Sequence, residues 1–220
     1  MLAMLIMRNA PAAAPFAAIA APIMAVGLMG AGMITSAIAG RLWTGVACAL
    51  LAGSGLSLLA LAMGMASGPQ LPATGLALVI ASISFAARGA LFSRSAAGKG
   101  WWIAVAVVAG EAAIVATASA MPGALPDWLL ALLPAQWAST AIQSALSGAG
   151  AQPAGPALIA LAGTAAATLL VVRLWPRRWP YLIMFTAWLG FSALVLNMSA
   201  SADATIAAEP AAPTGMTVPR

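Results

Sequence analysis

Six apolar stretches, each at least 20 residues long, constrain the fold of this chain more than any other feature. They cover residues 12–39, 42–66, 73–92, 100–120, 154–175 and 181–200. A helix needs about 20 apolar residues to cross the hydrocarbon core of a bilayer. We therefore predict an all-α fold, a polytopic membrane helical bundle with about six transmembrane helices in residues 12–200.

Composition agrees with a chain whose main partner is the lipid bilayer. Of its 220 residues, 63% are hydrophobic and only 6% are charged, which leaves too little polar surface for a water-soluble domain. Nine Lys and Arg against four Asp and Glu give a net charge of +5. Because these cations lie in short turns beside apolar runs, we attribute the charge to membrane topology and expect no nucleic-acid partner.

The distribution of basic residues predicts the orientation of the chain. Position 41 and the segments 88–99 and 173–178 hold seven of the nine Lys and Arg, whereas the turns after the second and fourth spans hold none. By the positive-inside rule these three basic loops are cytoplasmic and both termini lie outside, although Arg8 disagrees with an outer N-terminus. The Ala-rich composition is typical of a GC-rich bacterium, so we predict a multi-pass protein of the bacterial inner membrane.

Both ends of the chain differ from the spans. Residues 1–11 form a short apolar N-terminal segment in which Arg8 follows the apolar residues, the reverse of a secretory signal peptide, so we expect no cleavage. Residues 201–220 are rich in Ala, Pro and Thr and poor in large apolar side chains. They predict a flexible C-terminal tail.

The connection between the fourth and fifth spans carries a further helical pattern. Over residues 127–147, polar side chains recur at helical spacing opposite an apolar face. The polar positions are Gln136, Thr140, Gln143 and Ser147. We predict an amphipathic interfacial helix lying on the membrane surface, which serves as an outer-face lid, as a contact for another protein, or as an ordinary connector.

The residue inventory excludes many chemistries. The chain has no histidine, which removes the usual haem and copper ligand and the base of Ser-His and Cys-His hydrolysis. Cys48 is the single cysteine and lies in an apolar run, so paired redox thiols and thiolate clusters are also excluded. With no phosphate-binding loop or acidic cluster, we predict no metal, no cofactor and no enzymatic activity.

Glu111 is the strongest candidate for a functional residue. It lies about 16 Å along the fourth span at the α-helical rise, near the middle of a bilayer. An ionised carboxylate there is costly, so it must be neutral, paired with a cation or open to water. It is either a proton, cation or solute site in transport, or a structural hydrogen-bonding or salt-bridge residue that fixes helix packing.

Arg88 on the third span is the natural partner of Glu111. Ser84 lies one turn before it on the same helix face, which predicts a polar seam of Ser84, Arg88 and Glu111 between the third and fourth spans. In the alternative interpretation, Arg88 extends toward the cytoplasmic headgroups and takes no part in a site.

Small residues at four-residue spacing predict close helix contacts. Gly45, Ala49 and Gly53 form such a stripe on the second span, and Gly190 and Asn197 belong to another on the sixth. Stripes of this kind serve contacts within a bundle and contacts with partner chains equally well. They indicate helix packing and carry no chemistry of their own.

These features favour a non-catalytic integral inner-membrane subunit that packs against, stabilises or assembles a larger complex, or that forms a homo-oligomer. The alternative is a small transporter or channel in which intramembrane Glu111, with Arg88, binds a proton, cation or solute. An enzyme is compatible with the sequence only if a partner supplies the missing chemistry. A transporter predicts a polar cavity reaching Glu111, whereas a packing subunit predicts Glu111 buried against Arg88, Ser84 or a carbonyl.

Overall fold

The computed structural model describes residues 14–63, 71–96, 98–147, 154–175 and 179–208, and in these ranges it is all-helical. The helices are α1 Ala14–Ala39, α2 Leu42–Ala62, α3 Leu71–Ser95, α4 Gly100–Ala120, α5 Asp127–Ala131, α6 Pro134–Leu146, α7 Gly155–Arg173 and α8 Trp179–Ala208. The predicted all-α class is confirmed. The segment 1–11 and residues 209–220 of the predicted tail lie outside the described residues.

Six of these helices are long and apolar enough to cross a membrane, namely α1, α2, α3, α4, α7 and α8. The bounds of α4 match the predicted fourth span, 100–120. The apolar part of α8, Tyr181–Met198, also agrees with the predicted sixth span, 181–200, while the helix itself continues to Ala208. The Ala-rich sequence after residue 200 explains the extension, because alanine has the highest helix propensity.

The centre of the bundle is formed by α1 and α3, which pack against each other and against α2, α4 and α6. Phe85, Trp137 and Leu161 are almost fully enclosed there, together with three methionines of α1. These methionines are Met24, Met29 and Met33. Unbranched methionine side chains fill irregular gaps, which suits a core in which α1 contacts four different helices.

The outer helices α2, α4 and α8 turn large apolar side chains away from the bundle. Leu51 on α2 is 75% exposed and Leu182 on α8 is 71% exposed. In water such surfaces would favour aggregation, whereas in a bilayer they contact lipid at no cost. The apolar exterior therefore agrees with the hydropathy of the spans.

The stripe of Gly45, Ala49 and Gly53 faces the inside of the bundle, and all three residues are buried. A side chain at Gly45 would contact Ser36 and Ala86, so α2 packs closely against both α1 and α3 at this point. Among the described residues this stripe serves internal packing.

The closest approach of α1 to α3 involves Ser36 and Gly89. The buried Ser36 Oγ lies 2.9 Å from the carbonyl oxygen of Ala86 and donates a hydrogen bond across the two helices. A Cβ at Gly89 would collide with Ser36 Oγ and with the carbonyl of Met33. Glycine at position 89 is therefore a steric requirement of this contact.

Gly89→Ala is expected to destabilise the fold by about 1 to 3 kcal/mol, because backbone and a buried hydroxyl must move to admit the methyl group. The matched control is Gly110→Ala on α4, where a Cβ meets nothing within 4 Å. The control should be neutral or stabilising by up to about 1 kcal/mol through helix propensity. Thermal unfolding in detergent measures both, and equal effects of the two substitutions would contradict the contact.

Candidate functional site

The connection between α4 and α7 contains a break in the helix predicted over 127–147. The chain forms α5 and α6 with Leu132 and Leu133 between them. Pro134 causes the break, since a proline disfavours helical backbone in the residue before it, and Leu133 is extended with φ −96° and ψ 114°. Pro134 itself begins α6, the position where its missing N–H is tolerated.

A break of this kind leaves carbonyls at the end of α5 and amides at the start of α6 without helical partners. Three side chains from three helices provide them. The indole nitrogen of Trp137 donates to the Ala131 carbonyl at 2.9 Å, and that of Trp188 donates to the Leu132 carbonyl at 3.2 Å. Glu111 Oε2 accepts from the backbone N–H of Ala135 at 3.0 Å.

The bond between Glu111 and Ala135 fixes where α6 begins relative to α4. Glu111 is 11 residues after the start of α4 and nine before its end, or about 16 Å and about 13 Å along the helix axis. The first turn of α6 therefore lies beside the middle of α4.

From this point α6 packs against α1, α3, α4 and α7. Its apolar face, which includes Trp137 and Ile142, is buried, while Thr140 and Gln143 on the opposite face are exposed. The predicted amphipathic pattern is therefore present in α6. A position on the membrane surface stays a prediction.

Arg88 lies on α3 and is hydrogen-bonded to α7. Its Nη2 donates to Thr164 Oγ1 at 3.2 Å, and the guanidinium carbon lies 5.8 Å from the centroid of the Phe85 ring. Its Nη1 is enclosed and makes no hydrogen bond to any described residue. In the described part of the chain, no carboxylate oxygen lies within 4.0 Å of the guanidinium nitrogens.

The predicted seam of Ser84, Arg88 and Glu111 is not a hydrogen-bonded chain in the structure. Glu111 pairs with the Ala135 amide and Arg88 pairs with Thr164. Ser84 is fully buried on α3, and its hydroxyl bonds to no described residue. Arg88 and Glu111 line the same cavity, whereas Ser84 is not among its lining residues.

This cavity of about 590 Å³ is partly open and is formed by residues of α3, α4, the α5 to α6 break, α7 and α8. Arg88 and Glu111 both line it and are close enough to attract each other electrostatically. Thr164 and Thr168 add two hydroxyl groups from α7. The remaining lining is apolar, so one acidic and one basic side chain face a space with few other polar groups.

Sequence reasoning missed Thr164, Thr168 and Trp188. The two threonines are four residues apart on one face of α7, a spacing that places both hydroxyls on the same side of a helix. Trp188 lies in the middle of a span, away from the interfacial position that tryptophan prefers. Both are signals that a polar site in the membrane can leave in a sequence.

No protein family model, no curated protein and no solved structure matches this chain. The described residues also contain no group of three or more His, Cys, Asp or Glu side chains that would hold a metal ion.

Glu111→Ala is expected to destabilise the protein by about 1 to 3 kcal/mol, since it leaves the Ala135 amide without an acceptor. Glu111→Gln is the matched control, because its side-chain carbonyl can still accept this bond and the cost should stay below about 1 kcal/mol. Unfolding of the purified protein in mixed micelles by added sodium dodecyl sulfate measures the difference. An alanine variant as stable as the glutamine variant would show that the bond does not hold α6.

Proposed function

We propose that this chain is a multi-pass inner-membrane protein that binds a small solute between Arg88 and Glu111, as the central site of a small transporter. The observation that supports the proposal most is the cavity of about 590 Å³ that both residues line. A carboxylate that served packing alone would be covered on every side by protein. Here Glu111 is hydrogen-bonded on one side and faces the cavity on the other.

The energetic cost of this arrangement also supports a solute site. Placing two ionisable side chains in an apolar bundle costs free energy, and their direct pairing would recover part of it. In this protein they do not pair within 4.0 Å, and one guanidinium nitrogen has no partner among the described residues. Charged groups kept apart across a cavity are typical of a binding site.

The break between α5 and α6 supports the same proposal. We place the start of α6 near the bilayer midplane, because Glu111 bonds to Ala135 beside the middle of α4. In this arrangement α5 and α6 form a re-entrant pair instead of a helix on the membrane surface. Transporters often build their sites from discontinuous helices whose ends meet at the midplane.

We further propose that the turns after α1, α3 and α7, which contain Arg41, Lys99 and the basic residues after Arg173, are cytoplasmic by the positive-inside rule, while Arg88 lies inside α3. The connection that contains α5 and α6 then enters the bundle from the outer face. The cavity beneath it would receive solute from that side.

Cysteine labelling tests whether water reaches the cavity. In a Cys48→Ala background, Met184→Cys places a thiol in the cavity wall, and a membrane-impermeant methanethiosulfonate should label it from one side of the membrane. The matched control is Leu189→Cys on the same helix, at a side chain that is 56% exposed on the bundle exterior and that we place in lipid. The control should stay unlabelled, because a thiol in lipid is neither ionised nor reached by the reagent.

An unreactive Met184→Cys variant that is correctly folded would contradict an aqueous solute site. Equal labelling of Met184→Cys and Leu189→Cys would mean that the bundle exterior is also wet, and would contradict the proposed membrane placement. Vesicles of both orientations identify the side from which the reagent enters.

The accessory-subunit function remains as a second proposal, favoured by the outer surface of α8. The stripe of Thr186, Gly190 and Ala193 is exposed, and a Cβ at Gly190 would meet nothing within 4 Å. Asn197, further along the same stripe, is also exposed. A helix of another membrane subunit, or of a second copy, could approach α8 closely along this face.

Purification in a gentle detergent followed by mass spectrometry tests this second function. Stoichiometric partner chains should co-purify with the native protein and be lost from Gly190→Leu, whose side chain blocks close approach. Gly110→Leu is the control, because Gly110 is equally open on α4. A native protein that purifies as a monomer would contradict the accessory role.

A further inference from the structure

We propose that the solute is a small organic anion, a carboxylate on an apolar body, whose charged group binds Arg88. This inference rests on the proposed solute site and specifies its chemistry. Three features of the cavity carry it: the unequal compensation of its two charges, the supply of hydrogen-bond donors, and the nature of its walls.

The two charged residues differ in how their charges are compensated. Glu111 accepts from the Ala135 amide in the first turn of α6, where the amide ends of a helix favour negative charge. In the described part of the chain, the groups in direct contact with the Arg88 guanidinium are neutral, namely the Thr164 hydroxyl and the face of the Phe85 ring, while the Glu111 carboxylate attracts it from beyond 4.0 Å. The cavity therefore attracts an additional negative charge more strongly than a positive one.

The hydrogen-bond donors and acceptors of the cavity lining favour the same class of solute. The hydroxyl hydrogens of Thr164 and Thr168 are donated to the carbonyls of Ala160 and Thr164, so these side chains offer only acceptors. Among the described residues that line the cavity, the guanidinium of Arg88 has spare donors, since one Nη2–H bonds to Thr164 and the enclosed Nη1 makes no hydrogen bond. A group with strong acceptors is required, and the planar guanidinium fork matches a carboxylate in geometry and charge.

The walls determine the rest of the solute. Large apolar side chains of α5, the break and α8 also line the cavity, namely Leu129, Leu132, Met184, Phe185 and Trp188. An inorganic anion would leave this surface without contact, whereas a hydrocarbon or aromatic body would cover it. The volume of about 590 Å³ lies within the range of pockets that hold drug-sized molecules.

Equilibrium dialysis with radiolabelled octanoate tests the inference on the full-length protein in dodecyl maltoside, after subtraction of protein-free micelles. Saturable binding is expected, with competition by unlabelled octanoate at least tenfold stronger than by octanol or octylammonium, which share the chain but lack the anion. Palmitate as a second competitor distinguishes an acid that enters from the bilayer from one that enters from water. Stronger competition by palmitate or by octanoate than by octanol and octylammonium supports the anionic class.

Arg88→Gln should weaken octanoate binding by about tenfold or more, because a charge-assisted bond is replaced by a neutral one. The matched control is Arg94→Gln on the same helix, where the side chain is exposed and bonds to the Val172 carbonyl, away from the cavity lining. This control should bind octanoate within twofold of the native protein. Size-exclusion profiles and thermal unfolding establish that both variants are folded.

Each of three results would contradict an anionic solute: octanoate shows no saturable binding, octylammonium competes as strongly as octanoate, or folded Arg88→Gln binds octanoate with the affinity of the native protein. If Met184→Cys is labelled while octanoate does not bind, the solute site survives and only its anionic character is wrong. If Met184→Cys is not labelled, the solute site itself is wrong.

Discussion

Backbone polar groups inside an apolar bundle need partners, and at the break between α5 and α6 those partners are side chains. Trp137, Trp188 and Glu111 each supply one hydrogen bond to this short stretch. In hydrocarbon each unsatisfied group would cost several kcal/mol, so an irregular segment persists only where protein surrounds and satisfies it. The position of α6, the shape of the cavity and the local charge of Glu111 all depend on these three bonds.

Glu111 consequently combines two structural features, a hydrogen bond that holds α6 and a position in the cavity lining. One oxygen accepts from the start of α6 while the side chain also lines the cavity. Arg88 lines the same cavity but differs from Glu111 in its hydrogen bonding. One of its guanidinium nitrogens makes no hydrogen bond to any described residue. The two side chains thus differ in their hydrogen bonding, since Glu111 has a backbone donor and Arg88 keeps a nitrogen without a described partner, although they attract each other electrostatically.

The spans could be predicted from sequence because their signal is local. Apolar runs of sufficient length identify α1, α2, α3, α4, α7 and α8, and the bounds of α4 agree with the prediction. The break at Leu133 has a local signal in Pro134, but the longer amphipathic pattern over 127–147 outweighed it. The sixth span was also predicted closely, since its apolar part is Tyr181–Met198, whereas the helical continuation to Ala208 has no distinct signal because an Ala-rich sequence is compatible with both tail and helix.

The contacts of the site could not be predicted, because hydrogen-bond partners depend on how helices are arranged in space. Sequence spacing predicted a polar seam of Ser84, Arg88 and Glu111. In the structure, Arg88 bonds instead to Thr164, 76 positions later, and Glu111 bonds to Ala135. The partners of the small-residue stripes could not be predicted for the same reason. Gly45 and Gly53 pack inside the bundle while Gly190 faces outward, although the local pattern is similar at all three.

The Trp188 bond has a mechanical consequence. It joins α8 to the break, and α8 otherwise packs mainly against α7 and α5 at the edge of the bundle. Because Met184, Phe185 and Trp188 form one wall of the cavity, a rigid-body displacement of this single peripheral helix would widen the cavity while α1, α3 and α6 stay in place. At the level of the charged residues, α8 is therefore a peripheral wall of the cavity that is joined to the break by the Trp188 indole and to the bundle by its packing on α7.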